Sequence, residues 1–363
     1  MRRPRLTVDL DAICGNWRRL AREAEPAETA AVVKADAYGC GMARIAPALR
    51  GVGARTFFVA TAEEGAALRE VLGPGPVVYV MNGAAGEELA TLREREVRPV
   101  LCSPEQCREA ARFAAAGGRL RCGVQLDSGM NRLGLSLSDA EAFAREAAAS
   151  VDVRLLMSHL GSAEEPGHPA NLRQLERFEG VARALAGRFP DARRSLAATA
   201  GIFLGRRYHC GLVRPGIGLY GGRPFARGVP AVHLAAPVLQ VRKVAAGETL
   251  GYGRAWRAVR ESVVATLPIG YADGLVRALG CGRGRVRVGG TWAPVAGRVN
   301  MDLVTVDVTE VADVAPGAVA EILCEERGID DVAEDAGTIA HEVLTSLRGA
   351  RFERAYSGAG GEA

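Results

Sequence analysis

Aromatic side chains are scarce, at 5% of the 363 residues, and no apolar run approaches the roughly 20 residues that a membrane-spanning helix needs. Neither sign of charge dominates: 46 Lys and Arg stand against 42 Asp and Glu, a formal net charge of +4. The arginines are scattered rather than massed in a tract, so the chain lacks the electrostatic footprint of a nucleic-acid binder. The eight cysteines contain no C-x-x-C pair and no metal-type clustering. That excludes a zinc cluster or disulfide framework and suits free thiols in a reduced, cytoplasmic compartment. The N-terminus is basic, but its apolar stretch, 6–10, is far too short for a secretory leader. No repeat of fixed period is present, which excludes a solenoid.

What is present is a chain long enough for two domains, 48% hydrophobic and rich in Ala, Gly and Arg. Residues 5–10 alternate and read as an isolated strand, after which Asp11 caps a helix with Ile13, Trp17, Leu20 and Ala21 at helical spacing. Short apolar strands at 30–33, 56–60, 77–81, 98–102, 120–126, 153–159, 195–198 and 212–214 then alternate with helical patterns. Among those helices, 62–72, 86–95 and 138–149 are read from periodicity. The one opening at 103 has serine as cap and proline in its first turn. Eight strands alternating with helices predict an α/β fold, a (β/α)8 TIM-type barrel over residues 1–224, whose first strand pairs with the second domain. From 225 to 363 the texture is β-rich, with short apolar strands divided by Gly, Pro and Asp, one or two helices in 330–349, and a Gly-rich tail expected to fray.

In such barrels functional groups sit where strands end. Lys34 ends the first strand, and a lysine there points into a cleft where desolvation supplies the neutral amine that forms Schiff bases. Taken alone, a lysine snorkelling from a strand end is the commoner case. Likewise a lone His159 is more often a core histidine, Arg132 and Arg214 ion-pairing residues, and Tyr252 between glycines a packed turn. Together, Lys34, His159, Arg132 and Arg214 at one mouth suit an anionic ligand with a reactive carbonyl. Thr199 and the Gly216 and Ile217 amides follow the last two strands, where barrels often hold a phosphate. An aldehyde with a phosphate tail is pyridoxal 5′-phosphate, PLP.

The stretch VVKADAYGCG (32–41) resembles the PLP-lysine signature of the alanine racemases. DSGMNRLG (127–134), MSHLGSAEE (157–165), VRPGIGLYG (213–221), GYGRAW (251–256), GYADG (270–274), GRVNMD (297–302) and GTIAHEVLTSL (337–347) follow in the family's order. The resemblance implies a PLP barrel joined to a β domain in a head-to-tail homodimer with shared active sites. Its activity is racemisation of L- and D-alanine, supplying D-alanine for peptidoglycan. It makes Lys34 the PLP-bearing base for one face and Tyr252 of the partner subunit the base for the other. It places Tyr38, Thr199, Gly216, Ile217 and His341 about the phosphate and Arg132 at the phenolic oxygen. Arg214 falls at the ring nitrogen, with His159 between it and the tyrosine. Met301 meets the substrate carboxylate, and Tyr271 narrows the entrance. The small amino acid is the expected partner, with no metal, nucleic acid or membrane.

Some positions depart from the family's commonest pattern. Gln125 stands where many members carry a carbamylated lysine that orients the arginine matching Arg132, so an anion such as chloride is expected there instead. Ala198-Thr199 replaces Asn-Ser, Cys40 a histidine, Glu164 an aspartate, Leu275 an aromatic and His341 a tyrosine, while Asn300 precedes Met301. These departures bear on substrate choice, leaving a serine or broader racemase as the nearest alternative. A barrel PLP decarboxylase would carry glutamate where Arg214 stands. Single-domain PLP-binding proteins would lack everything after Tyr220.

Overall fold

Parallel strands covered on both faces are near-continuous apolar runs, and Thr56–Val59 is buried at all four positions. In the computed structural model, which describes residues 3–117, 119–147, 150–348 and 351–358, seven strands form one parallel sheet. They run in sequence order as Ala31–Val32, Thr56–Val59, Val77–Val80, Val97–Leu101, Leu120–Gln125, Val151–Met157 and Arg193–Ser195.

The eighth strand, Leu212–Val213, closes the ring. It pairs in parallel with Glu28–Thr29, just ahead of Ala31–Val32. On its other side the Gly211 and Arg214 amides donate to the Arg194 and Ala197 carbonyls, 3.0 and 2.9 Å away. The first barrel strand is thus longer than the apolar run 30–33 suggested and is interrupted at Ala30, whose amide donates to the Val213 carbonyl at 2.9 Å.

The helix Ala62–Leu72 falls where periodicity put it. The first helix, Leu10–Ala24, is capped by Asp9, whose carboxylate accepts from the Ala12 amide at 2.8 Å, and not by Asp11. Helix Leu137–Ala147 starts one residue ahead of the expected 138–149, of which 148 and 149 are outside the described residues.

A six-stranded sheet carries the second half of the chain. Its order is Thr291–Pro294, Arg285–Val288, Val319–Leu323, Val232–Pro237, Arg5–Asp9, Glu353–Ser357. Arg5–Asp9 runs antiparallel to Val232–Pro237 and parallel to Glu353–Ser357, so the first and last strands are neighbours. Glu353–Ser357 was not expected, and the tail after 358 lies outside the described residues. Gln240–Val244, Ser262–Leu267 and Val304–Asp307 form a second, three-stranded sheet, and helices Ile329–Ala336 and Ala340–Ser346 follow.

Candidate active site

Lys34 begins a tight coil of unusual hand. Ala35, Asp36, Ala37 and Tyr38 all have φ between +52° and +60°, a left-handed helical turn built from residues with Cβ atoms. Each such residue costs roughly 1–2 kcal/mol. The Glu64 carboxylate secures the start, accepting from the Ala35 amide at 2.6 Å and the Ala60 amide at 2.8 Å. Asp36 accepts from the Met42 amide at 2.7 Å, and the Tyr220 hydroxyl donates to the Ala37 carbonyl at 2.7 Å. From the last strand, Arg354 donates to the Gly39 carbonyl at 2.9 Å and the Tyr356 hydroxyl to that of Cys40 at 3.0 Å.

The turn delivers both Lys34 and Tyr38 to a cavity of about 570 Å³ at the C-terminal ends of the strands. Gln125, Arg132, His159, Thr199, Arg214, Gly216, Ile217 and His341 line the same space. Burial lowers the Lys34 ammonium below its ordinary range; Arg132 pushes the same way and Glu64 opposes. Burial also holds His159 neutral, drawn down to about 3, with Arg214, Arg132 and Lys34 adding to the effect. His341 is lowered for the same first reason, and its ring lies 5.9 Å from that of Tyr38.

Arg214 is wholly buried, yet all its side-chain partners are neutral: the Ser195 hydroxyl, the Ser158 carbonyl at 2.7 Å and the Leu196 carbonyl at 3.5 Å. Burial draws it down to about 10, so it remains a cation at neutral pH. Arg132 forms no ion pair among the described residues, and no hydrogen bond joins it to Gln125. A buried cation and a second unpaired one beside a lysine suit an anionic ligand.

The donor set fits a phosphate. Thr199 Oγ1 accepts from the Gly216 and Gly218 amides at 3.1 and 3.2 Å, which uses both of its acceptor positions and leaves its own O–H to donate. The Ile217 N–H, first in its turn, finds no acceptor among the described residues. A Cβ on Gly216 would lie 2.0 Å from the Tyr38 hydroxyl, so glycine is required for this approach.

Tyr252, Tyr271 and Met301 do not line this cavity. They are exposed on the β-rich part of the chain, Tyr252 by 71%. The Tyr271 amide donates to the Asn300 carbonyl and the Ala272 amide to that of Met301, both at 3.0 Å, so the second and third lie side by side. Asp273 is structural, its carboxylate accepting from the Gly270 amide and pairing with Arg351 at 2.6 Å. The model for the alanine racemase N-terminal domain matches residues 8–224, and that for the C-terminal domain residues 231–356. The chain belongs to the alanine racemase family. An alanine racemase of Cereibacter sphaeroides is 49% identical over 352 residues, 97% of each chain. The alanine racemase of Bartonella henselae, solved with covalently bound pyridoxal phosphate, superposes with a TM-score of 0.92 at 34% identity, covering 98% of this chain and all of that one. That of the D-cycloserine producer Streptomyces lavendulae gives 0.93 at 31%, covering 99% and 98%. As a member of this racemase family the chain is an isomerase.

The residue that sequence reasoning missed is Glu64. Thr61-Ala62-Glu63-Glu64 has the spacing of a capping box, and the Thr61 hydroxyl does accept from the Glu64 amide. The Glu64 carboxylate, however, reaches across to the lysine turn, a contact between chain segments that local spacing does not encode.

Proposed function

We propose that this racemase interconverts L- and D-alanine on PLP, with Lys34 serving one face of the α-carbon and Tyr252 of a second copy serving the other. The observation that carries this reading is the separation of the two bases: Lys34 lines the cavity, whereas Tyr252 is 71% exposed and absent from it. A homodimer in which each chain completes the other's site resolves that separation. The barrel, residues 1–224, then holds the cofactor, and residues 225–363 supply the second base.

When bound, PLP supplies an aldehyde that captures amines and a ring that spreads the charge left on the α-carbon. The chain's own groups do the rest. A racemase must take a proton from one face and return one to the other, so bases on opposite faces are needed. The lowered ammonium of Lys34 makes its Nζ available as a neutral base closer to neutral pH. Arg214, a buried permanent cation, disfavours a second positive charge on any ring nitrogen beside it, which restrains delocalisation and favours prompt return of the proton. Neutral His159 beside Arg214 offers a polar link towards the tyrosine hydroxyl. Thr199, Ile217, Gly216, Tyr38 and His341 seat the phosphate, and Arg132 meets the phenolic oxygen. The Met301 N–H has no acceptor among the described residues and is free for the substrate carboxylate, past an entrance narrowed by Tyr271. D-alanine for peptidoglycan, made in the cytoplasm, is the product's role under this reading. Among the described residues no helix is long and apolar enough to cross a membrane.

The purified protein, reduced with borohydride and digested, should carry a pyridoxyl group on Lys34, the chain's one lysine besides Lys243. A modified Lys243 with Lys34 untouched would defeat the assignment. Tyr252→Phe should keep the cofactor and lose about 10²–10⁴-fold in L-to-D turnover. Mixing Lys34→Ala with Tyr252→Phe chains should restore part of the activity; two dead subunits that never complement would show that the site is not shared. Offering L-alanine and L-serine decides the substrate, and a faster rate with serine would replace alanine in the proposal.

A further inference from the structure

The opposite mouth of the barrel, where the strands begin, holds a second constellation. Arg98, Arg121 and Arg193 stand first or second in the strands Val97–Leu101, Leu120–Gln125 and Arg193–Ser195, and Arg154 stands midway along Val151–Met157 between the last two. Around them open two adjoining cavities of about 490 and 310 Å³, which share Arg98, Arg121 and Arg154. Arg98 and Cys102 lie on one strand and its exit, so this mouth is about 13 Å along the strand from the cofactor cavity.

Charge is not balanced here. Asp152, 7% exposed at its side chain, is shared by Arg154 at 2.7 Å, Arg121 at 3.5 Å and Arg119 at 3.7 Å. Arg193 is taken by Glu28 at 2.7 Å, and Arg154 adds Asp191 at 3.5 Å. Half-buried Arg98 has no carboxylate partner among the described residues; its guanidinium donates to the Tyr79 hydroxyl at 3.2 Å and lies over that ring. Seven guanidinium groups, Arg69 and Arg93 among them, thus line the two cavities against the carboxylates of Glu96, Asp152 and Asp191, with Glu28 outside holding Arg193. By contrast Arg69 is held by four backbone carbonyls and is structural. Each guanidinium offers a planar fork of donors that matches phosphate oxygens, and a concave wall with an excess of positive charge raises the local concentration of anions.

We propose that this mouth is a binding site for a small polyphosphate, a molecule presenting two or more linked phosphate groups. Arg98 and Arg121 supply the unmatched charge, and Arg154, fixed by Asp152, forms the floor. One phosphate would engage Arg98 and the next Arg121, while the larger cavity leaves room for an organic substituent.

Calorimetric titration of the full chain, carrying its cofactor, tests this with inorganic pyrophosphate and with ADP at about 50 mM salt, where such contacts are least screened. One saturable site per chain is expected for both probes, weakened roughly tenfold or more in Arg98→Gln/Arg121→Gln with racemisation unchanged. Because Arg98 packs on Tyr79, the exposed single variant Arg121→Gln is the control for folding, and roughly threefold weakening is expected there. No saturable binding of pyrophosphate, binding of ADP alone, or equal affinity in the Arg121→Gln chain would each overturn the proposal.

Discussion

Replacing Glu64 tests whether the lysine turn is held from outside or holds itself. The turn carries four left-handed residues, Ala35 to Tyr38. At 1–2 kcal/mol each they store about 4–8 kcal/mol that neighbouring contacts must offset. Glu64 contributes two hydrogen bonds from a charged acceptor, to Ala35 and Ala60. Bonds of this kind are worth about 1.5–3 kcal/mol each, towards the low end for a half-buried group that water can partly replace. Glu64→Ala should therefore cost about 3 kcal/mol and lower Tm by roughly 4 °C in a chain of this size. Glu64→Gln keeps the shape but offers one good acceptor for two amides, so about half that loss is expected. It also removes the negative charge that opposes the lowering of the Lys34 ammonium. The sign follows: without it the lysine loses its proton at lower pH, so the acidic limb of the racemisation profile moves to lower pH. Thermal unfolding and a pH–rate profile of the two variants suffice. An unchanged Tm in Glu64→Ala would refute the clamp, and an acidic limb that stays or moves up in Glu64→Gln would refute the charge coupling.

Three further outcomes are expected. Gly216→Ala places a methyl 2.0 Å from the Tyr38 hydroxyl and should weaken PLP affinity by about tenfold or more; spectroscopic titration of the apoprotein reads it, and unaltered affinity would remove Gly216 from the cradle. His159 is held near 3 when folded and titrates near 6.5 when unfolded, so its contribution is complete above 6.5 and is lost as pH falls towards 3, with His341 acting in the same direction. Up to about 2 kcal/mol should go between pH 6.5 and 5, and the urea midpoint of His159→Asn should fall less over that window than the parent's. With neutral Gln125 beside an unpaired Arg132, turnover should be higher in chloride than in gluconate of equal ionic strength; equal rates would leave no anion at that position.

Much of the barrel was legible because each helix and strand declares itself within its own ten residues. Ala62–Leu72 has apolar residues at helical spacing and a threonine before it, and nothing distant alters that. Glu353–Ser357 was hidden for the opposite reason. Its sequence, ERAYS, has no buried face, and it exists as a strand because Arg5–Asp9 offers an open edge more than 340 residues earlier. The choice between Asp9 and Asp11 as cap is likewise settled by where the first strand stops. At the site, Lys34 and Arg214 were found through strand ends and motif, whereas Glu64 was disguised as an ordinary helix start. The arginines of the far mouth read as scattered in sequence, because one falls in each successive strand-and-helix unit; only closing the ring gathers them.

The anchoring of the lysine turn by the final strand also sets an order of events. Arg354 and Tyr356 lie 315 and 316 residues beyond the carbonyls they bind. A ribosome finishes the barrel long before these two side chains exist, so the nascent barrel lacks two of the contacts that offset the turn's left-handed cost. Lys34 acquires its final setting only when strand Glu353–Ser357 docks beside Arg5–Asp9. A chain cut just before Arg354 should therefore fold its barrel around a relaxed loop and capture pyridoxal phosphate poorly.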